Sequence, residues 1–318
     1  MNKIKVYNIY SDYLKDRFGE KVYKLPINLP LSCPNRDGFL SRGGCTFCGE
    51  EGGSFENLSN VLSVKEQISK NIDYISKRYK AKKFIAYFQN FSNTYLPLEK
   101  FKTYVEDAIE KNIVGISIST RPDCINDEYL EYLENIQKKH DLEISVELGL
   151  QTVNYHSLNK VNRGHTLAEF IDAVLRIKKH NLRICTHLIL NLPWDNRTDV
   201  IENAKIISAL GIDEIKLHSL YIVKDTMMGE QYNKGEIEMI TKDEYIERVI
   251  LFLEYLDPSI IIQRIIGRAP KEDTLFVNWQ ESWWKIRDEI VETMEKRNSF
   301  QGIKCDYLNG KALKKFNM

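Results

Sequence analysis

The chain has 318 residues, with 45 Lys and Arg against 45 Asp and Glu, so its formal net charge is zero, and 43% of its residues are hydrophobic. This length fits one large or two ordinary globular domains. Neutrality excludes a polycation of the histone kind, although a local basic patch can still bind nucleic acid. No apolar signal segment or membrane span is present in the sequence, so we expect a cytoplasmic protein without membrane association.

Six short runs rich in β-branched and aromatic residues predict strands in the first two thirds of the chain. They are VYKLPINLPL before Cys33, KFIAYF from Lys83, VGISIST from Val114, LEISVELGL from Leu142, RICTHLIL from Arg183 and EIKLHSLYIV from Glu214. Most are almost continuously apolar, which is typical of parallel strands covered on both faces. Segments of helical period lie between them, and three begin with a capping-box pattern: Ser63 with Glu66, Thr166 with Glu169, and Thr241 with Glu244.

Strand and helix alternate every roughly 30 to 40 residues, as in the βαβ units of a parallel sheet. After about residue 258 the pattern changes to one more strand, IIIQRIIG, and a terminal helix. We therefore predict an α/β fold in which residues 10–258 form a partial (β/α)6 TIM-type barrel. Residues 259–318 are predicted to form a C-terminal extension of a strand plus a helix.

Three of the six cysteines, Cys33, Cys45 and Cys48, occupy one glycine-rich loop after the first predicted strand. Structural zinc sites use four ligands, but the first histidine of the chain is His140 and no fourth cysteine is near. Three thiolates would leave one iron of a [4Fe-4S] cluster open, at the end of the barrel where such folds place their sites. A zinc site completed by a distant ligand and chance clustering remain alternatives. The other cysteines have no paired spacing, which favours buried thiols: Cys124, Cys185 and Cys305.

The order of the motifs resembles the radical SAM superfamily, in particular its YhcC/YtqA-like branch, and more distantly the radical SAM core of the Elongator catalytic subunit. The matching segments are CPNRDG and RGGCTFC around the cysteines, then ELGLQT, NRGHT, HLILNLP, KLHSLYIVKDT and IIQRI. This resemblance implies a [4Fe-4S] cluster and S-adenosylmethionine as cofactors, with reductive cleavage of the latter to a 5′-deoxyadenosyl radical. It also implies an electron donor such as flavodoxin or ferredoxin.

Six residues outside the cysteine loop are predicted to contact the cofactor: Gln89, Arg121, Glu147, Gln151, Arg163 and Asn191. Gln89 stands where many family members have an acidic residue, and its amide oxygen can accept a hydrogen bond from the cofactor. Alternatively, the segment is merely a polar loop that ends the strand. Arg121 suits a carboxylate, or it simply pairs with Asp123. Glu147 and Gln151 are an even number of positions apart, so they share one face of a strand.

Other polar residues allow simpler interpretations. In the family, a glycine often stands at the position of Asn191, where it lets the backbone approach adenine. Arg163 lies in the NRGHT segment that follows the fourth strand. If this segment does not contact the cofactor, it is a solvated turn. His187 and His218 lie within predicted strands, where a histidine is more often a satisfied core residue than a functional group. No residue is assigned a catalytic role.

The relatives named above are associated with wobble uridines of transfer RNA. We therefore expect an enzyme that modifies the 5-substituent of such a uridine. Two groups of basic residues are candidates for phosphate contacts: Lys77, Arg78, Lys80, Lys82 and Lys83, and the C-terminal Lys311, Lys314 and Lys315. The alternatives are a radical SAM enzyme acting on a small metabolite or peptide, and a non-enzymatic metal-binding module.

Overall fold

A computed structural model describes residues 5–49, 57–268 and 272–316 of the chain. Its main sheet contains seven parallel strands: β1 (Val22–Ile27), β2 (Lys83–Phe88), β3 (Ile113–Thr120), β4 (Glu143–Gln151), β5 (Arg183–Ile189), β6 (Glu214–His218) and β8 (Ile261–Arg264). The strands are adjacent in that order, so each crossover joins neighbours, and the sheet curls into a half-barrel. A second, two-stranded antiparallel sheet pairs β7 (Ile222–Val223) with β9 (Thr274–Phe276).

Ten helices connect or cover these strands in the described ranges. They are α1 (Tyr10–Phe18), α2 (Val64–Tyr79), α3 (Leu98–Asp107), α4 (Asp127–His140), α5 (Tyr155–Lys160), α6 (Leu167–Lys179), α7 (Arg197–Ala209), α8 (Met227–Asn233), α9 (Lys242–Tyr255) and α10 (Trp283–Lys296). Short 3-10 turns occur at Pro122–Cys124, Asn278–Gln280 and Lys311–Phe316. None of the helices in these ranges is both long and apolar enough to cross a lipid bilayer.

The predicted α/β half-barrel is confirmed, and each of the six predicted runs contains a strand of the sheet. The further strand expected after residue 258 forms β8, which lies beside β6 at the edge of the same sheet. The division into residues 10–258 and 259–318 stays a prediction. The chain before α1 pairs with the edge strand β8, because the Ile262 amide donates to the Asn8 carbonyl at 2.8 Å.

The core lies between the sheet and its helices. Apolar residues of the strands, such as Ile116, Val146 and Ile184, are fully buried against helix residues such as Phe170 and Leu133. Burying each such side chain contributes about 1.5–3 kcal/mol relative to leaving it in water. This packing fixes the strand ends and therefore the loops that follow them.

Two of the three predicted capping boxes form, at the starts of α2 and α6. The third is only half formed. Thr241 accepts a hydrogen bond from the Glu244 amide, but the Glu244 carboxylate is bound to Arg197 and Arg248 instead of returning to the Thr241 amide. Two charged donors compete more strongly for this carboxylate than one backbone N–H does.

Candidate functional site

A cavity opens at the carboxyl ends of the strands, with about 1080 Å³ of empty volume including its mouth. Eight of the nine predicted cofactor and metal residues line it: Cys33, Cys45, Cys48, Gln89, Arg121, Glu147, Gln151 and Arg163. The loop after β1 and residues of β2 to β6 or of the loops that follow them line it together.

The three cysteines lie together, but their sulfurs are not arranged around a single ion. Cys33 and Cys45 are buried and Cys48 is partly exposed. In the described part of the chain, the one set of three ligand atoms within 4.8 Å of one another belongs to Glu147, Cys185 and His187. At least two of the three cysteine sulfurs are therefore farther apart than the roughly 3.8 Å that separates two sulfurs bound to one tetrahedral zinc with 2.3 Å bonds. The donor set fits a larger iron-sulfur group better than a zinc ion.

Each of the three sulfurs has a hydrogen-bond donor beside it. Arg163 Nη1 is 3.4 Å and Asn35 Nδ2 is 3.7 Å from Cys45 Sγ, Arg36 Nη1 is 3.6 Å from Cys48 Sγ, and the Ser92 hydroxyl is 4.0 Å from Cys33 Sγ. Donors in this position stabilise negative charge on cluster-bound sulfur. Burial nevertheless raises the pKa of Cys48 to about 11 in the metal-free chain, so these donors only partly offset the cost of a thiolate there.

Arg163 is held rigidly by contacts on every nitrogen. Its Nε donates to His165 Nε2 at 2.8 Å, and its Nη2 donates to the Gly149 carbonyl at 2.7 Å. Burial and the nearby guanidinium of Arg163 lower the pKa of His165 to about 3, so the imidazole is neutral and can accept. A Cβ at Gly149 would lie 2.7 Å from Arg163 Nη2, so glycine is required for this approach.

Arg121 lines the cavity but its guanidinium is fully engaged. Its Nε and Nη2 donate to the two carboxylate oxygens of Asp123 at 2.8 and 2.7 Å, and its Nη1 donates to the Arg163 carbonyl at 2.8 Å. Only 2% of Arg121 is exposed. The alternative in which Arg121 pairs with Asp123 is therefore present in the structure, and Arg121 supports the loop that carries Arg163.

Gln89 and Gln151 present free side-chain amides to the cavity. Within the described residues, neither amide group makes a hydrogen bond to another side chain or to the backbone. Gln151 also has a positive φ of 78° at the end of β4, next to a register shift between Gly149 and Gln151. Such backbone conformations are costly for non-glycine residues and concentrate at functional sites.

Asn191 is the predicted residue that does not line the cavity. It is buried, its Oδ1 accepts from the Leu220 amide at 2.6 Å, and its Nδ2 donates to the Leu220 carbonyl at 3.4 Å. The side chain therefore joins the loop after β5 to the loop after β6. It positions Leu220, which does line the cavity.

Glu147 is the centre of a buried charged network on the inner face of the barrel. Its carboxylate accepts from Lys24, from Lys216 Nζ at 3.1 Å and from His187 Nε2 at 2.7 Å. Burial by itself raises the pKa of Glu147, but the attraction of Lys216 and Lys24 holds that pKa well below its ordinary value. Lys216 also donates to the Tyr87 hydroxyl at 2.7 Å.

The expectation that His187 and His218 are ordinary core residues is incomplete, because both line the cavity. Their rings lie 5.1 Å apart, and Arg264 Nη2 approaches His218 Nδ1 at 2.6 Å. Burial lowers the pKa of His187 to about 4. One signal in the sequence could have identified His218: the alternation of Glu214, Lys216 and His218 along β6 places these polar residues on one face.

The cluster of Glu147, Cys185 and His187 is not suited to a metal ion, although its ligand atoms lie within 4.8 Å. Lys24 and Lys216 already contact the Glu147 carboxylate. A divalent cation would face both ammonium groups in a medium of low dielectric constant, where like charges repel strongly.

The two predicted groups of basic residues lie at the opposite end of the barrel from the cavity. Lys77 to Lys83 span the end of α2 and the first residue of β2, which is the amino-terminal end of the sheet. The C-terminal segment is attached to the end of α9, because the Tyr307 hydroxyl donates to the Tyr255 carbonyl at 2.7 Å. Neither group borders the cavity mouth.

Comparison with known protein families identifies the superfamily of the chain. A model of the radical SAM superfamily matches residues 40–207, and a model of the radical SAM C-terminal domain matches residues 212–296. The chain is 37% identical over 304 residues to YtqA of Bacillus subtilis, covering 95% of this chain and 93% of that protein. It is 33% identical over 282 residues to YhcC of Escherichia coli, covering 88% and 89%. The chain therefore belongs to the radical SAM superfamily.

More distant similarities cover part of the relative or concern the fold. A tRNA uridine(34) acetyltransferase of Methanocaldococcus jannaschii is 23% identical over 208 residues, which are 63% of this chain and 36% of that protein. The solved structure of Elp3 from Methanocaldococcus infernus superposes with a TM-score of 0.68 at 18% identity, covering 93% of this chain and 68% of that one. This superposition shows a shared fold. Membership of the superfamily implies a [4Fe-4S] cluster, S-adenosylmethionine and a reductant.

Proposed function

We propose that this protein is a radical SAM enzyme that modifies the 5-substituent of a wobble uridine in transfer RNA. The observation that carries the proposal is the cavity itself, which the three cysteines and buried polar groups of β4 to β6 line together. The similarity to a tRNA uridine(34) acetyltransferase supports the choice of substrate. The cavity is the place for the nucleoside, since chemistry on a base requires it to leave the stack and enter a pocket.

Cys33, Cys45 and Cys48 would hold three irons of the cluster and leave one iron for the cofactor. Together a bound cluster and S-adenosylmethionine would supply a 5′-deoxyadenosyl radical for hydrogen abstraction from the substrate. Gln89 and Gln151 are our proposed contacts to the cofactor, because their free amides can both donate and accept hydrogen bonds. Glu147 takes the role of a positioning residue, since its carboxylate is already bound to Lys24, Lys216 and His187.

Arg163 and Arg121 act in support of these contacts. Arg163 places a positive charge against Cys45, and Arg121 fixes the Arg163 carbonyl. Asn191 holds the loop of Leu220 at the cavity wall. The RNA would approach the carboxyl ends of the strands, so its phosphate contacts belong to the rim of the cavity rather than to the two basic groups at the other end.

The decisive experiment measures 5′-deoxyadenosine released by the reconstituted enzyme with total transfer RNA from a deletion strain. The nucleosides of that RNA are then compared by mass spectrometry before and after incubation. We expect release that depends on the RNA, together with a change in one wobble uridine. The Cys45→Ala variant should produce neither signal, whereas the Cys305→Ala variant should behave as the unaltered protein, because Cys305 does not line the cavity.

Two other results would overturn the proposal. Release that depends on a pool of small metabolites or peptides, with unchanged transfer-RNA nucleosides, would support the alternative substrate class. A protein that binds one zinc and no iron would exclude the radical chemistry.

A further inference from the structure

A second pocket lies between the chain before α1, the end of β8 and the first turns of α10. It has about 970 Å³ of empty volume including its mouth. Six of the residues that line it carry hydrogen-bond donors on their side chains: Tyr7, Gln263, Arg264, Arg268, Trp283 and Arg287. No aspartate or glutamate of the described residues is among those that line it. The second pocket therefore gathers donors and positive charge without a carboxylate of its own.

Arg264 brings a charge into this pocket without a matching carboxylate. Its Nη2 lies 2.6 Å from His218 Nδ1, but its Nε is buried and has no hydrogen-bond partner among the described residues. The carboxylate that attracts Arg264 belongs to Glu147, and it is already bound to two lysines and a histidine. A guanidinium with a buried, unpaired N–H is costly. An anion in the second pocket would remove that cost.

Two further donors of the second pocket are available to a ligand. Arg287 lies one turn after Trp283 on α10, and its Nε and Nη2 donate to Asp288 Oδ1 at 2.8 and 2.6 Å. Its Nη1 makes no hydrogen bond within the described ranges, and neither does the Tyr7 hydroxyl, whose pKa is raised by burial so that it keeps its proton. Asp288 balances the charge of Arg287, and the charge of Arg264 is left without a counter-charge.

We propose that the second pocket binds a phosphate group, with Arg264 and Arg287 as its charged donors and Tyr7 as a neutral one. A phosphate carries negative charge on several acceptor oxygens, so it matches donors that come from three separate segments of the chain. Two sources can supply this group: the backbone of an RNA strand and a free nucleotide. Only the RNA source rests on the proposed function. It fits the position of the pocket, because Arg264 also contacts His218, which lines the cavity that would take the nucleoside.

The test measures the binding of two kinds of probe to the reconstituted enzyme. One is an anticodon stem-loop of transfer RNA, and the other is uridine 5′-monophosphate with uridine as its uncharged counterpart. We expect Arg287→Gln to weaken binding of the stem-loop by about tenfold, because one charged hydrogen bond to phosphate is lost. The logarithm of the binding constant should also depend less steeply on the logarithm of the salt concentration, by about 0.7 for one contact to a single strand.

Neutral methylphosphonate linkages identify which phosphate is bound. One linkage at a time is replaced on either side of the wobble nucleotide, which removes a negative charge and leaves the base sequence intact. One of these replacements should weaken binding to the wild type by about tenfold. The same replacement should have little further effect on Arg287→Gln, because the contact is already lost. Such non-additivity would assign that phosphate to the second pocket.

A matched control is Arg297→Gln, which removes the same charge at the other end of α10. Arg297 is 48% exposed, pairs with Glu247 and does not line the second pocket. Its binding of the stem-loop and its salt dependence should equal those of the wild type. Arg264→Gln should weaken binding at least as much as Arg287→Gln does. If Arg264→Gln does not fold, the more exposed Arg287 still provides the test.

The outcomes separate the two phosphate sources from failure of the proposal. Tighter binding of uridine 5′-monophosphate than of uridine, lost in Arg287→Gln while every stem-loop linkage behaves alike, would support the free nucleotide. Equal binding of both probes by the wild type and Arg287→Gln would overturn the phosphate site. Weaker binding of S-adenosylmethionine by Arg264→Gln, with unchanged binding of the probes, would overturn it too and assign Arg264 to the cofactor. A wild type that binds no stem-loop would contradict the RNA substrate, and the nucleotide probe would still test the pocket.

Discussion

Arg163 Nη1 lies 3.4 Å from the sulfur of Cys45, deep in the cavity wall. The other nitrogens of this guanidinium donate to a neutral imidazole and to a backbone carbonyl, at His165 and Gly149. No carboxylate of the described residues pairs with it, and a Cys45 thiolate bound to iron would supply a balancing negative charge. A buried charge is costly unless it is paired.

The first prediction follows from this pairing. Arg163→Gln removes the charge beside Cys45 and leaves the His165 and Gly149 acceptors without their donor. We expect the reconstituted variant to lose iron faster than the wild type and its free energy of unfolding to fall by about 2–4 kcal/mol. Iron retention and urea unfolding measure the two effects. Arg163→Lys keeps the charge, so its iron retention and its stability should lie between those of the wild type and those of Arg163→Gln. Identical iron retention in all three proteins would refute the pairing.

The second prediction concerns the metal. Replacing Cys33, Cys45 or Cys48 by Ala should abolish the four-iron content and the release of 5′-deoxyadenosine, since each variant loses one thiolate ligand. Iron analysis and a release assay under reducing, anaerobic conditions check both. Cys305→Ala is the control and should retain both properties. A variant of the cysteine loop that keeps four irons would show that its sulfur is not a ligand.

The third prediction tests the network of Glu147. Glu147→Gln leaves the partly buried Lys24 and the buried Lys216 without their counter-charge, so we expect the free energy of unfolding to fall by about 3–5 kcal/mol. Adding Lys216→Met removes one unpaired ammonium and should restore part of the loss. Denaturant unfolding of Glu147→Gln, of Lys216→Met and of the double variant gives the coupling free energy between the two residues. Strictly additive effects would contradict the network.

The fourth prediction is a pH dependence at Asp195, which accepts a hydrogen bond from Ser157. Burial raises the pKa of Asp195 to about 6, from 3.8 for the ordinary side chain. The folded state therefore binds the Asp195 proton more tightly than the unfolded state does. The protonated carboxyl contributes its full stabilisation below about pH 4, and this stabilisation is lost as the pH rises through 6. Asp195→Asn has no charge to bury, so at pH 8 it should be more stable than the wild type, by at most about 3 kcal/mol.

Unfolding measured between pH 5 and 8 gives the test. The difference between Asp195→Asn and the wild type should grow with pH over this range. The control Asp73→Asn, at an exposed position on α2, should follow the wild-type profile. A constant difference across the range would show that the Asp195 carboxyl does not titrate there.

Much of the fold was accessible from local patterns. Each predicted run contains a strand because continuous apolar β-branched residues favour a buried parallel strand wherever the chain goes. The helix start at Thr241 shows the limit of such patterns. Its capping box is incomplete because Arg197, 47 positions away along the chain, binds Glu244. Local propensity predicts a helix start, but a tertiary contact decides which partner its carboxylate takes.

The order of the strands and helices, the three cysteines in one loop and the motif at Glu147 and Gln151 can be read from the chain alone, because all of these are short-range features. The contacts that those residues make depend on the folded arrangement. Lys24 and Glu147 are separated by 123 positions and meet because the curled sheet brings the inner faces of β1 and β4 together. The same curvature opens the cavity to His187 and His218 and places the two basic groups at its far end. Such contacts depend on strand packing and closure, which no local spacing in the chain specifies.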